Sequence, residues 1–182
     1  MGRIRNLATD HIVSKSLVCE HGICTNCPIK LFKREDEKVI YGIGNICTNT
    51  VFVLPPYDIR TNIKYETLLN KLIEVYKEIT NKNILEEHYI TRIIKCLDKS
   101  NYEMYDKAAT KCINHFITEL NFIKPTKLIF FGDSLNHAYN NLFSKININV
   151  EIFDVYSPAV FFYDNIELHN KFVEQLTKAI YD

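Results

Sequence analysis

Four short runs of β-branched and aromatic residues are the feature that most limits the fold of this chain. They are VIYGIG (39–44), TVFVLP (50–55), KLIFFG (127–132) and VEIFDVY (150–156). Runs of this length that are nearly continuous in apolar residues are typical of strands in a parallel sheet covered on both faces. Disordered, linker-like and collagen-like proteins are excluded, because such chains lack the apolar residues for a core.

Three stretches between and after these runs carry apolar residues at spacings of three and four, which is the period of an amphipathic helix. They run from Tyr65 to Ile79, from Tyr105 to Leu120 and from Leu168 to Ile180. Strands that alternate with helices predict an α/β fold with a mainly parallel sheet, here of four strands. The 182 residues suit a single domain over 1–182, and no repeat or linker divides it.

Charge and apolar run length limit the functional classes. The 22 basic and 22 acidic side chains give a net charge of zero, so any nucleic-acid-binding surface must be local. No apolar run approaches the ~18 residues that span a bilayer, and the N-terminus lacks the apolar core of a secretion signal. We therefore expect no membrane partner and a cytoplasmic location, or the host cytoplasm if the chain is viral.

Four of the six cysteines form a candidate metal site. Cys24 and Cys27 lie in CTNC, a C-x2-C pair, while Cys96 and Cys112 follow much later, sixteen positions apart. Cytosolic thiols stay reduced, so clustered cysteines there more often bind metal than form disulfides. The alternative is that they are small buried side chains. Four thiolates suit zinc or a [4Fe–4S] cluster, and the spacing does not separate the two.

The other two cysteines have different expected roles. Cys47 lies beside the second predicted strand and is expected in the core. Cys19, five residues before Cys24, is an alternative metal ligand.

Taken in order, these motifs resemble the iron–sulfur uracil-DNA glycosylases of the family 4 type over nearly the whole chain. CTNCPIKL is similar to the opening cysteine pair, VIYGIGN to the next strand, and TVFVLPPYD stands in the place of the strand with the catalytic loop. YITRIIKC resembles the segment with the third cysteine, IKPTKLIFFGDSLNHA the later strand–turn–helix, and VYSPAVFF stands in the place of the His-Pro-Ala loop. The resemblance implies a three-layer αβα sandwich with an N-terminal cysteine-loop arm. It also implies a [4Fe–4S] cluster of structural role, held by Cys24, Cys27, Cys96 and Cys112.

The chain departs from the family at the positions that perform base excision. Excision needs a carboxylate or an oriented water, donors for the leaving base, and a pocket for the flipped base. The acidic loop of the family is Leu-Pro-Pro-Tyr-Asp here (54–58), which leaves Asp58 as a weak catalytic candidate. Arg92 replaces the Asn that reads the base, and Ser157 replaces the His of the His-Pro-Ala loop. Tyr57 and Tyr65 are candidates for the aromatic residue that stacks on the base.

Several residues are candidates for nucleic-acid contacts. Phe161 and Phe162 follow Ser157-Pro-Ala and are candidates for a wedge between bases, or else they pack the last helix on the sheet. Arg92 and Ser157 belong to the same predicted surface, with Arg92 as a phosphate contact. A basic group near the third and fourth cysteines is either a phosphate-binding patch or a solvated face; it comprises Lys95, Lys99, Lys107 and Lys111.

The resemblance and its departures predict an iron–sulfur protein with a glycosylase-like fold that does not excise uracil. The expected role is a nucleic-acid-binding or replication and repair accessory module, with DNA and a replication or repair protein as the expected partners. One alternative is an active glycosylase of altered base choice that uses Asp58 and Arg92. Another is a protein-binding module without DNA contact, which the zero net charge favours.

Overall fold

The computed structural model describes residues 5–6, 42–55, 57–58, 63–95, 102–135 and 149–182, with the side chains of residues 42–55, 63–95, 108–135 and 149–182. Eight strands are present in these ranges: β1 (Arg5–Asn6), β2 (Ile43–Gly44), β3 (Thr50–Val53), β4 (Tyr57–Asp58), β5 (Ile63–Lys64), β6 (Tyr89–Thr91), β7 (Lys127–Phe131) and β8 (Glu151–Val155). The helices are α1 (Tyr65–Thr80), α2 (Ile84–Glu87), α3 (Tyr102–Ile123), a 3-10 helix (Pro158–Phe162) and α4 (Ile166–Tyr181).

Six of these strands form one mixed sheet in the order β1-β2-β6-β3-β7-β8. The four strands from β6 to β8 run parallel, in register pairs such as Val51–Tyr89, Val51–Leu128 and Leu128–Ile152. The two-residue strands β1 and β2 extend one edge in antiparallel pairing. Strands β4 and β5 pair with each other in a separate two-stranded ribbon.

Helices cover the two faces of the sheet, and each face has its own apolar core. On one face, Val51, Val53, Leu128 and Phe130 pack against the α3 residues Ala109, Ile113, Phe116 and Leu120. On the other face, Phe52, Ile129 and Phe131 pack against α1 and α4 through Leu72, Tyr76, Phe172 and Leu176. Neighbouring residues of β3 and β7 thus point to opposite cores, which explains why these strands read as continuous apolar runs. The predicted α/β class with a mainly parallel sheet is confirmed.

The sheet differs from the prediction in its strand count and at one edge. It has six strands in place of four, because two strands were not predicted: Arg5–Asn6 forms β1 at one edge, and Tyr89–Thr91 forms β6 between β2 and β3. The run at 39–44, which we predicted to be a parallel strand, contributes Ile43–Gly44, and this pair runs antiparallel to β6. Residues 39–41 of that run lie outside the described ranges.

The three predicted helices are present as α1, α3 and α4. Helix α1 ends one residue later than predicted, and α3 and α4 extend beyond their predicted limits at both ends. No helix in the ranges that the structure describes is long and apolar enough to cross a membrane.

Candidate functional site

The residues that follow the four parallel strands meet at one edge of the sheet, because parallel strands all end on the same side. Leu54 and Pro55 follow β3, and Arg92 follows β6. The Gly132–Ser134 turn follows β7, and Ser157 lies two residues after β8. From β3 the chain crosses to β6 on one side, while β7 and β8 lie on the other. Such a reversal of strand order marks the crevice where open α/β sheets bind ligands.

Direct contacts hold these strand ends together. The Leu54 amide donates a hydrogen bond to the carbonyl oxygen of Thr91 at 2.9 Å, and the Gly132 amide to that of Val155 at 2.9 Å. A Cβ atom added to Gly132, whose φ is +56°, would lie 3.0 Å from Cβ of Ser157. A side chain here would be strained by the backbone conformation and crowded by Ser157. Glycine therefore allows the β7 and β8 loops to approach each other.

Ser134 connects the ends of β3 and β7. Its Oγ accepts a hydrogen bond from the Phe131 amide at 3.0 Å. The same hydroxyl lies 2.7 Å from the carbonyl oxygen of Phe131 and 3.0 Å from that of Val53. Because Ser134 is only 2% exposed, these polar groups have little access to water. Ser134 therefore cross-links two strands at the crevice.

Arg92 lies beneath this edge, packed against Tyr65. The Arg92 side chain is 1% exposed, and its guanidinium carbon lies 4.4 Å from the centre of the Tyr65 ring. Its Nη2 donates a long hydrogen bond, 3.4 Å, to the carbonyl oxygen of Lys95. Burial raises the pKa of Tyr65 to about 12, and the positive charge of Arg92 opposes that shift. The structure thus brings together Arg92 and Tyr65, two residues that the sequence analysis expected near one base-binding site.

Ser157 caps the 3-10 helix that follows β8. Its Oγ accepts a hydrogen bond from the Ala159 amide at 3.2 Å. The hydroxyl is therefore engaged with the backbone of its own loop. Asp58 lies in β4, opposite Ile63 of β5, and its side chain is outside the described part of the structure.

Phe161 and Phe162 differ in their surroundings although they are adjacent in sequence. The Phe161 ring is half-buried, stacks on His169 at a centroid distance of 4.9 Å and meets Phe172 edge-on at 5.2 Å. Because His169 and Phe172 lie on α4, these contacts agree with the expectation that Phe161 packs the last helix on the sheet. Phe162 is 48% exposed. Tyr156 and Ile166 nearby in sequence are also exposed, at 41% and 72%.

A buried polar network lies between β6, its following turn and α3, and the sequence analysis missed it. Lys95 Nζ donates hydrogen bonds to Glu119 Oε2 at 2.6 Å and to Thr91 Oγ1 at 2.7 Å. The Thr91 hydroxyl donates to the same Glu119 oxygen at 2.7 Å, and the Tyr89 hydroxyl to Oε1 at 3.3 Å. The Lys95 and Glu119 side chains are 1% and 0% exposed. The prediction that Lys95 belongs to a phosphate-binding or solvated surface is therefore wrong.

One member of the network, Glu119, has a position in the sequence that could have indicated burial. Glu119 stands seven residues after Cys112 and thus recurs on the same face of a helix, in the middle of an apolar stripe. A carboxylate at such a position requires a buried partner. The partner, Lys95, is 24 residues away in the chain, and the sequence does not identify it.

Cys112 is the one predicted metal ligand within the described residues, and it lies next to this network. It lies on α3 and is 5% exposed. Burial lowers the pKa of Lys95, while negative charge on Glu119 and on Cys112 opposes that shift. Cys24, Cys27 and Cys96 lie outside the described ranges, as does Cys19.

His115 lies one helical turn after Cys112 and is 5% exposed. Its Nε2 has no hydrogen-bond partner among the described residues. Burial lowers the pKa of His115, and the charge of Lys95 lowers it further.

Cys47, which we expected in the core, is exposed. It lies in the bend between β2 and β3, where the Asn45 side chain accepts a hydrogen bond from its amide at 2.9 Å. Turn residues of this kind lie at the surface even when a buried strand follows.

Within the described ranges, no three His, Cys, Asp or Glu side chains converge in a metal-binding arrangement. The sequence matches no model of a known protein family and none of the curated proteins with which it was compared.

Proposed function

We propose that this chain is a [4Fe–4S] protein with a uracil-DNA glycosylase-like fold that does not excise uracil and instead binds nucleic acid as a replication or repair accessory. The observed α/β sheet with helices on both faces agrees with the fold that the resemblance implies. The loops that replace the catalytic motifs also lie together, at the edge where such sheets bind ligands.

The packing of Arg92 on Tyr65 is the observation that carries the proposal that excision is lost. An excising enzyme needs a pocket that stacks the flipped base and reads its polar edge. Here a buried guanidinium lies 4.4 Å from the Tyr65 ring centre. It offers only donors, so it does not replace the paired donor and acceptor of an amide. In this proposal the Arg92 side chain occupies the position on Tyr65 that a flipped base would take.

Ser157 supports the same conclusion. A serine hydroxyl carries no positive charge, so it does not supply the electrostatic stabilisation that a histidine gives to a leaving base. Its Oγ is also engaged by the Ala159 amide.

Exposed aromatic residues support a binding function at this edge. Phe162 and Tyr156 both follow β8 and are 48% and 41% exposed. Aromatic rings that stack on unpaired bases bind single strands without strong sequence preference. With a net charge of zero, such binding would depend more on stacking than on phosphate contacts, and its salt dependence would be shallow.

The cluster would be held by Cys24, Cys27, Cys96 and Cys112. Their thiolates are a donor set that a cubane accepts. One observation supports the fit: burial lowers the pKa of Lys95, which directly precedes Cys96 in the sequence, and charge on Cys112 opposes that shift. When bound, the cluster would supply structural cross-linking of the N-terminal arm to the body of the fold.

A single-turnover assay with excess protein on uracil-containing single-stranded DNA tests the proposal, together with anisotropy titrations on single- and double-stranded DNA. We expect no release of uracil and measurable binding to single strands. Excision that disappears in Asp58→Asn would establish the active-enzyme alternative. Absence of binding to either DNA would favour the protein-binding module.

A further inference from the structure

His169 of α4 holds the end of the 3-10 helix that carries Phe161 and Phe162. Its Nε2 lies 2.9 Å from the carbonyl oxygen of Val160 and 3.0 Å from that of Tyr163. Because both carbonyl groups are acceptors, Nε2 carries the hydrogen and donates it to them. The Val160 carbonyl also accepts a hydrogen bond from the Tyr163 amide at 3.1 Å. The imidazole therefore connects the closing turn of the 3-10 helix to α4.

The ring of His169 also holds Phe161 in place. The two rings stack at a centroid distance of 4.9 Å and an interplanar angle of 24°. Phe172 of α4 meets Phe161 edge-on at 5.2 Å, and Lys71 Nζ of α1 lies 5.5 Å from the centre of the Phe161 ring. Phe161 is therefore anchored between α1 and α4.

The direction of Phe162 follows from the anchoring of Phe161. A 3-10 helix has three residues per turn, so adjacent side chains point about 120° apart. Phe161 packs against the core on the α1 and α4 side of the sheet, and Phe162 is accordingly 48% exposed. At the start of the same helix, Ser157 Oγ accepts a hydrogen bond from the Ala159 amide at 3.2 Å. Side-chain contacts thus fix both ends of this helix, and the exposed ring has a set direction before a ligand binds.

We propose that His169 is a positioning residue for single-strand binding: it holds the 3-10 helix so that the Phe162 ring is oriented to stack on an unpaired base. This inference rests on the nucleic-acid binding of the proposed function and is independent of the metal site. A ring that is ordered before binding loses less conformational entropy on binding, which strengthens the complex without a new contact. His169 is half-buried and stacks on Phe161, so it acts through Phe162.

The test is an anisotropy titration of the full-length protein with fluorescein-labelled oligo(dT), using two variants that separate the two contacts of His169. His169→Phe keeps a ring that stacks on Phe161 and removes the donor to the carbonyl groups. His169→Gln removes the ring and keeps an amide donor near the position of Nε2. We expect His169→Phe to weaken binding about 2- to 10-fold, which is the cost of ordering one side chain on binding, and His169→Gln to bind within about twofold of wild type.

A double-mutant cycle with Phe162→Ala separates positioning from a general effect on the fold. If His169 acts through Phe162, its substitution has no further effect on affinity once the Phe162 ring is absent. We therefore expect Phe162→Ala and Phe162→Ala/His169→Phe to bind oligo(dT) equally. A residue that only stabilises the fold would change the free energy of unfolding in urea and leave the affinity of the folded protein unchanged.

Phe161→Leu provides a second variant if His169→Phe does not fold. It removes the ring on which His169 stacks and keeps an apolar side chain at the core. We expect a loss of affinity of the same size, again absent when Phe162→Ala is also present.

Three results would be negative, and they are distinct. Wild-type protein that does not bind oligo(dT) would remove the nucleic-acid binding of the proposed function and this inference with it. Binding that Phe162→Ala leaves unchanged would remove stacking at this ring. Binding that Phe162→Ala weakens, with folded His169→Phe and Phe161→Leu at wild-type affinity or with equal losses in both backgrounds, would overturn the positioning role alone.

Discussion

The hydroxyl of Tyr76 lies 2.9 Å from Nε2 of His88, and this contact lies at the junction of α1, α2 and β3. On its other side, Nδ1 of His88 is 3.4 Å from the Thr48 hydroxyl, and the ring packs on Phe52 at 5.0 Å. Both ring nitrogens thus have neutral partners, and burial lowers the pKa of His88 from 6.5 to about 4. The imidazole is neutral in the folded protein at physiological pH.

This arrangement predicts a loss of stability in mild acid. The folded-state pKa lies below the unfolded value of 6.5, so the unfolded chain takes up the proton first. Stability is therefore full above pH 6.5 and falls as the pH drops towards 4. A shift of this size corresponds to about 3 kcal/mol at most. His88→Gln, measured by urea unfolding at several pH values, should have a shallower decline across this window. Parallel curves for the two proteins would show that His88 does not titrate as proposed.

Removing one member of the Lys95–Glu119 pair should lower the free energy of unfolding more than removing both members. Glu119→Leu leaves a buried ammonium with the Thr91 hydroxyl as its remaining hydrogen-bond partner among the described residues, and we expect a loss of about 3–5 kcal/mol in the free energy of unfolding. Lys95→Met/Glu119→Leu should recover most of this loss, because no uncompensated charge remains. A double-mutant cycle in urea measures the coupling. Additive single effects would show that the two side chains do not interact.

Phe161 and Phe162 should respond to truncation in opposite ways. Phe161→Ala removes the ring that contacts His169 and Phe172, so we expect a stability loss of about 1–3 kcal/mol. Phe162→Ala removes a ring that is 48% exposed, so stability should change by less than ~0.5 kcal/mol. If the exposed aromatic surface binds single strands, Phe162→Ala should weaken that binding by about 1–3 kcal/mol in an anisotropy titration. Equal DNA affinity of Phe162→Ala and wild type would argue against stacking at this ring.

The sequence predicts the parts of this fold whose signal is local. The runs that became β3 and β7 are nearly continuous in apolar residues, because both faces of the sheet are covered there. Strand β8 lies at the edge of the sheet, and its run contains the exposed Glu151 and Asp154. Strand β6 has only three residues, and Tyr89, Ile90 and Thr91 are too few to display a period. Its two polar side chains are buried because Glu119 accepts their hydrogen bonds. Contacts with residues that are distant in the sequence therefore stabilise this strand, and a local sequence pattern does not reveal such contacts.

The candidate site follows the same rule. The Gly132–Ser134 segment has a local signal, because a glycine followed by polar residues after an apolar run indicates a strand end. The contact of Arg92 with Tyr65 joins residues 27 positions apart, and no local feature of either segment predicts it. Sequence reasoning placed both residues near a base site but did not predict that one occupies the face of the other.

Cys112 is the predicted ligand for which the structure allows a matched experiment. Wild-type protein isolated without oxygen should be brown and contain about four irons per chain, because four thiolates suit a cubane. Cys112→Ser removes a buried thiol and should lower both the iron content and the unfolding temperature, since metal-binding free energy contributes to folding. Cys47→Ser is the control: this thiol is exposed and outside the proposed ligand set, so iron content and stability should match wild type. A colourless protein with one zinc would replace the iron assignment and keep the site. Equal metal content in Cys112→Ser and wild type would remove Cys112 from the ligands.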